Sequence, residues 1–274
     1  MPADFCFTID LDRDVNDRVP GSPEAAISID RGHGTGPRFE STLKGLAHYV
    51  SILDELDIPC TFFCEGRTLE TIRDSAGLLD GFDIGVHGYD HEYFPEMARP
   101  DAVAAVRHGI EAVKDVLGRS PTAFRAPYMK MPRDIGSFLD GTGIRIDSSS
   151  YADASSCTPF MLPGYIAEVP VTETSDLGGR KMSAYLWPMH EGKRGPAEYA
   201  DLASLVPDDG CYVLADHTWH MEESRASGPY PPGELEENVF RTRLALELIL
   251  EAGCRPVSIS EASSKARIRA PEWP

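Results

Sequence analysis

The sequence predicts one parallel α/β domain. Strand-like and helix-like segments alternate along all 274 residues, no repeat or break in composition divides them, and polar residues gather where the strands end. A (β/α) barrel of this length is commonly a single domain and carries its chemistry at the C-terminal ends of its strands. Seven or eight strand–helix units are legible, over residues 1–262, with a polar tail over 263–274.

The composition narrows the partners. Hydrophobic residues make up 42% and charged residues 26%, enough apolar material for a folded core. Twenty-six basic against 44 acidic side chains give a net charge of −18, which repels phosphate backbones and anionic lipid, so neither nucleic acid nor a membrane surface is an expected partner. No apolar run approaches the ~20 residues a membrane helix needs. The first residues, MPADFCFTID, lack the basic-then-apolar order of a secretory signal. Of the six cysteines, Cys6, Cys60, Cys211 and Cys254 sit in or beside strand-like runs and read as buried thiols, while Cys60 and Cys64 have no second close pair for a structural zinc site. A reducing, cytoplasmic setting is expected; the oligomeric state is left open.

Phe5–Asp10 is the first strand, and the Gly- and Pro-rich stretch from Arg13 to Arg38 is an irregular loop that leaves it directly, placed to act as a lid. Ser41 or Thr42 caps a helix running to about Asp57, with Leu43, Leu46, Ala47, Val50, Leu53 and Leu56 at helical spacing. There follow a strand Cys60–Phe63, a helix near Arg67–Ala76, a strand Asp83–Val86 and a helix from Asp101 to Gly118. Ala123–Arg125 is extended, Pro132–Leu139 helical and Ile144–Ile146 extended. Ile166–Val171 and Cys211–Ala215 are strands on either side of a helix from Pro196 to Val206. Glu234–Ala252 is a helix stopped by Gly253, and Arg255–Ile259 is a last strand.

Polar residues cluster at the strand ends. Asp10 and Asp12, two apart, share a face of the first strand. The third strand runs into His87-Gly88-Tyr89-Asp90-His91, the fourth into Arg125-Ala126-Pro127-Tyr128, the fifth into Asp147 and three serines, the seventh into Asp216-His217-Thr218-Trp219-His220. Taken singly, each has an ordinary explanation as a helix cap, an incidental histidine pair or a surface ion pair; five at one rim point to a site. Two imidazoles and a carboxylate form an established catalytic zinc set with a position left for water. Asp12, His87 and His91 supply it, Asp10 is placed to serve as base, and His217 is free to protonate a leaving amine. Trp219 reads as a wall for a sugar ring or as packing. His33, His190 and His220 are further candidates; His48 and His108 lie within helices.

FTIDLD, GVHGYDH, FRAPY, GIRIDSSSY and VLADH together resemble the successive motifs of the polysaccharide deacetylases, carbohydrate esterase family 4 (the NodB-homology domain), over about Phe5 to Ser258. The resemblance implies a distorted (β/α) barrel, usually of seven strands, and metal-dependent hydrolysis of N-acetyl groups, with zinc expected and cobalt or nickel as alternatives. It implies Asp10 as base, Asp12, His87 and His91 as metal ligands, Arg125 as the partner that holds Asp10 ionised, and His217 as acid. It further implies an oxyanion contact from the backbone N–H of Tyr128 and an orienting or substrate-binding role for Asp147.

Three departures from the family pattern stand out. Leu11 separates two aspartates that are usually adjacent, as in the branch with intracellular peptidoglycan-deacetylase-like proteins, aminoarabinose deformylases and metal-independent allantoinases. Gly88 stands where a Ser or Thr usually fixes the loop. Ala215 stands where a larger apolar residue usually packs against the acetyl methyl. The expected function is hydrolysis of an N-acyl group, N-acetyl first, from an amino sugar or related soluble cytosolic metabolite. The alternatives are a cyclic- or linear-amide hydrolase of the allantoinase-like kind, with or without metal, and a non-enzymatic binding protein on the same scaffold.

Overall fold

The structure is a computed structural model that describes residues 2–21, 26–131, 134, 138–175 and 179–268. Its centre is a curled nine-stranded sheet. From one edge the order is Cys211–His217, Asp4–Leu11, Cys60–Cys64, Asp83–Val86, Ala123–Phe124, Ile146–Asp147, Ile166–Glu168 and Phe160–Leu162, with Arg255–Pro256 also paired to Asp4–Leu11. All pairings are parallel except that of Phe160–Leu162. The α/β expectation and the parallel order therefore hold.

Burial explains the sequence of these strands. Every residue of Asp4–Leu11 and of Cys60–Cys64 is buried, as in a parallel sheet covered on both faces, and such strands read as near-continuous apolar runs. Phe5, Phe7, Phe62, Phe63 and Phe124 form the aromatic centre of one core with helices Glu40–Leu56, Arg99–Leu117 and Pro232–Glu251 packed around it. Among the described residues the sheet does not close. At its seam the Cys211 amide donates to the Cys157 carbonyl, and Tyr185 bridges to Ala215. Cys6, Cys60, Cys64 and Cys211 are buried free thiols, Cys254 is a partly buried one, and Cys157 is buried.

Several boundaries differ from the sequence expectation. The expected strand Ile166–Val171 is two strands, because Pro170 cannot donate to a ladder; Val171–Ser175 turns away to join Tyr151–Asp153 and Lys181–Ser183 in a separate three-stranded sheet. Helix Glu40–Leu56 is not capped by Ser41 or Thr42. The carboxylate of Asp14, arriving from the preceding loop, accepts from the Ser41 and Thr42 amides at 3.1 and 2.7 Å. The segment near Arg67–Ala76 is a short helix, Gly66–Thr71, followed by a 3-10 stretch, Arg73–Leu79. The last strand stops at Pro256, and Ile259–Ser263 is helical with Ser258 as its cap. The helix expected over Pro132–Leu139 and the end of the polar tail lie largely outside the described residues.

The loop after Asp12 is tied down at its ends. Arg13 is buried and pairs with Glu65 and Asp90, Asn16–Asp17 pairs with Ile27–Ser28, and Arg31 and Arg38 both reach the buried carboxylate of Glu223. Helix Glu40–Leu56 rests on the turn Thr218–Met221 at Gly45, where an added Cβ would lie 1.9 Å from the Thr218 carbonyl oxygen.

Candidate active site

The strand ends converge on a cavity of about 370 Å³ lined by Asp10, Asp12, His91, Tyr128, His217 and Trp219, together with Asn16, Met129, Tyr151, Tyr185, Trp187, His220 and Arg225. Asp10 lies opposite His217 in the register of the two strands, and strand alternation brings Asp12 onto the same side. His87 follows Val86, and its Nδ1 lies 2.9 Å from the Arg125 carbonyl oxygen. That contact turns Nε2 the other way and makes it the free nitrogen.

Asp12, His87 and His91 bring one ligating atom each within 4.8 Å of the others. Oδ1 of Asp12, Nε2 of His87 and Nδ1 of His91 are buried and have no hydrogen-bond partner among the described residues, while Nε2 of His91 lies 3.2 Å from Oδ2 of Asp12. Buried polar atoms are normally satisfied, so this set has the character of a cation site. Burial depresses the His87 imidazole to about 3 and that of His91 to about 4, so both are neutral near pH 7, the form in which imidazole is a ligand. Asp12 is pushed well above the ordinary carboxylate range by burial and by the charges of Asp10 and Glu65, a repulsion that a cation would relieve.

Asp10 has the opposite balance. Burial alone would raise its pKa, but the charge of Arg125, with His87 and His217 nearby, outweighs that and keeps it below its usual value. Arg125 Nη1 donates to Oδ1 of Asp10 at 3.0 Å, and the guanidinium is itself held by the carbonyl and hydroxyl of Ser148 at 3.1 and 2.9 Å. Two carboxylates on one strand thus have different proton affinities, the arrangement that separates a base from a ligand. Nε2 of His217 lies 3.8 Å from Oδ2 of Asp10.

No motif in the sequence marks Tyr185 as a site residue. Its hydroxyl donates to Oδ2 of Asp10 at 3.3 Å and its ring stacks on His217 at 5.6 Å between centroids. It lines the cavity and pairs with Ala215, which is fully buried and, contrary to expectation, does not line the cavity. Nor does any motif mark Glu92. Its carboxylate accepts from the amides of Tyr89 and Asp90 at 3.1 and 3.0 Å, fixing the His87–His91 loop where the Gly88 position lacks a hydroxyl. Gly88 has φ +71°, and a Cβ there would lie 2.5 Å from Glu92 Oε2, so glycine and Glu92 belong together.

Tyr128 sits at φ 60°, ψ 10°, with its ring edge-on to His91 at 4.6 Å. Trp219 lines the cavity beside His217. Asp147 is not brought to the cavity: its carboxyl accepts from Ser149 at 2.6 Å and is raised by burial and by its neighbour Glu168. Of the other histidines, His220 joins the cavity wall, His190 is buried against Asp216, His33 is exposed, His48 pairs with Glu222 and His108 stacks on Tyr89.

Comparison with known proteins finds relatives of the chain. Residues 20–146 match the family model described as polysaccharide deacetylase. A peptidoglycan deacetylase of Helicobacter pylori is 25% identical over 131 residues, 47% of this chain and 43% of that protein. A chitin deacetylase of Colletotrichum lindemuthianum is 28% identical over 104 residues, 35% of this chain and 42% of that protein. The matches thus span less than half the length of these curated relatives. A Mycobacterium smegmatis structure assigned to the polysaccharide deacetylases superposes with TM-score 0.62 at 21% identity, over 100% of this chain and 99% of that one. A family 4 carbohydrate esterase from Streptomyces lividans, solved with acetate, gives 0.54 at 13% identity over 98% of each chain. A family 4 pseudoenzyme from Bacillus anthracis gives 0.57 at 11% identity, over 97% of this chain and 67% of that one. These likenesses establish the half-barrel fold.

Proposed function

We propose, for a chain that belongs to the polysaccharide deacetylase family, divalent-metal-dependent hydrolysis of an N-acyl group, N-acetyl first, on an amino sugar or a related small soluble metabolite of the cytosol. The observation that carries this reading is the convergence of Asp12, His87 and His91, with buried unpartnered atoms, beside the Arg125–Asp10 pair and His217. The donor set suits zinc, and equally cobalt or nickel. When bound, such an ion supplies Lewis-acid polarisation of the amide carbonyl and a lowered pKa for water.

The chain's own groups then divide the proton work. Asp10, kept ionised by Arg125, takes the proton of the attacking water. His217, across the same cavity, gives a proton through Nε2 to the departing amine, so that the C–N bond breaks with a neutral leaving group. Tyr185 holds the second oxygen of Asp10, and the backbone N–H of Tyr128 supplies an oxyanion contact. Asp147 acts through the strand that carries Ser148 and Ser149 and touches no substrate. Trp219, Trp187 and Tyr151 are among the residues that line the cavity, an aromatic lining that suits a small ring-bearing ligand.

The test is amine release from a panel of N-acylated amino sugars and cyclic amides by protein stripped of metal and then reloaded. Turnover that appears only on reloading and is lost with Asp10→Asn supports the proposal. Turnover of a cyclic amide by stripped protein would favour the metal-independent reading. Ring binding without turnover in any arm would favour a binding protein.

A further inference from the structure

We propose that Asp216, His217 and His220 form a second divalent-cation site, and that an ion bound there withdraws His217 from proton transfer. The inhibitory half rests on His217 being the general acid; the binding half does not.

The strand Cys211–His217 ends in a turn, Thr218–Met221, that folds His220 back so that its ring lies 5.4 Å from that of His217. One ligating atom from each of the three residues lies within 4.8 Å of the others, the same carboxylate and two imidazoles found at Asp12, His87 and His91. His220 is 4% exposed, yet it lines the cavity; its Nδ1 lies 4.0 Å from Oδ1 of Asp216, and neither of its ring nitrogens has a hydrogen-bond partner among the described residues. The same holds for Oδ1 of Asp216 and Nδ1 of His217. Four buried polar atoms without hydrogen bonds in one place call for a ligand.

The surroundings of Asp216 orient it for that role. Its Oδ2 accepts from the Tyr49 hydroxyl and lies 2.5 Å from Nε2 of His190, whose Nδ1 lies 2.5 Å from Oδ1 of Asn238. This second layer fixes the carboxylate and leaves Oδ1 free, as outer partners do around metal carboxylates. Since Nε2 of His217 faces Asp10 at 3.8 Å, Nδ1 is the nitrogen we assign to the ion. Imidazole donors select zinc, copper or nickel over magnesium or calcium. His190 beside Asp216 offsets the carboxylate's charge, and an ion at Asp12 repels a second, so this is the weaker site.

The inhibitory consequence follows from proton bookkeeping. An imidazolium acid carries a proton on each nitrogen. An ion that takes the Nδ1 lone pair displaces one of them to solvent, and His217 keeps only the Nε2 proton of a neutral ring. Excess ion then slows amine release without displacing substrate or the first ion.

Metal-stripped protein is titrated with Zn²⁺ under equilibrium dialysis, and bound zinc is measured by elemental analysis. Two equivalents are expected in the parent, the second binding more weakly. His220→Ala is expected to keep only the tight one and His87→Ala only the weak one. His220→Phe, which retains a ring against Trp219, repeats the measurement if the alanine variant does not fold. With excess Zn²⁺ the parent's rate should fall several-fold, whereas the rate of the His220 variant stays where one equivalent put it. One equivalent in the parent, or two in both His220 variants, overturns the site. Two equivalents without inhibition overturn the withdrawal of His217. Loss of the tight equivalent alone in His87→Ala is independent of this proposal, so failure of the first site and failure of the second are separately visible.

Discussion

The Tyr185 hydroxyl donates to Oδ2 of Asp10 at 3.3 Å, on the oxygen opposite the one Arg125 holds. The tyrosine is the only one of the two that also stacks on His217, so it couples the proposed base to the proposed acid. Tyr185→Phe is expected to lower kcat about tenfold, the value of one hydrogen bond to a charged group. The lost donor favours the protonated carboxyl, so the acid limb of the kcat/KM profile moves to higher pH. A profile that keeps its shape would assign Tyr185 to packing alone.

Arg125→Ala leaves Asp10 buried without its cation. The expected cost is about 3–5 kcal/mol in urea unfolding, as for other broken buried pairs. With Arg125 gone, burial dominates the balance at Asp10 and its pKa rises, so any residual activity retreats further towards alkaline pH than in Tyr185→Phe.

Asp12 is raised by burial and by neighbouring charge, so the metal-free protein holds a proton there over a range where an ordinary aspartate is ionised. Cation binding must expel that proton. Calorimetric titration in buffers of different ionisation enthalpy should therefore show proton release that grows as pH falls through this range. Asp12→Asn should abolish it. His87 and His91, depressed to about 3 and about 4, add nothing to the release near neutral pH.

Glu92→Ala removes the acceptor for the Tyr89 and Asp90 amides and loosens the segment between His87 and His91. Metal affinity, measured by competition with a chelator, should fall about tenfold, in the range seen for supporting residues around metal ligands. Gly88→Ser in the same background should not restore it, since position 88 has φ +71°.

Ala215→Leu inserts three carbons where the residue is fully buried and bridged to Tyr185. Overpacking of this kind costs about 1–3 kcal/mol. Thermal unfolding should register it, while the ratio of kcat/KM for acetyl and propionyl substrates stays as in the parent. A changed ratio would return position 215 to the acyl wall.

How much was legible follows from the physics of each signal. Strands such as Phe5–Asp10 and Cys211–Ala215 announce themselves because a sheet covered on both faces needs continuous apolar runs. Asp10 and Asp12 were legible because strand side chains repeat every two residues, and His87 and His91 because they directly follow a strand. Tyr185 meets Asp10 across 175 residues of sequence, and no local period encodes that meeting. Glu92 looked like any surface acid, and Asp14 replaced Ser41 and Thr42 as a cap because a carboxylate from outside the helix reached its free amides first. Asp147 carried a motif position but not a place in the cavity, since its strand turns the carboxyl towards Ser149 and Glu168.

The contact of Gly45 with Thr218 has a consequence for remodelling the mouth of the site. Helix Glu40–Leu56 is seated by Asp14 at its first turn, and at Gly45 it touches the backbone immediately after His217. The loop after Asp12 and the turn after His217 are therefore joined through one rigid rod. Exchanges in the loop will be tolerated where they spare the segments around Arg13–Asp17, Ala26–Ser28 and Arg31–Ser41; a side chain at position 45 would push the rod off its seat and swing His217 away from Asp10.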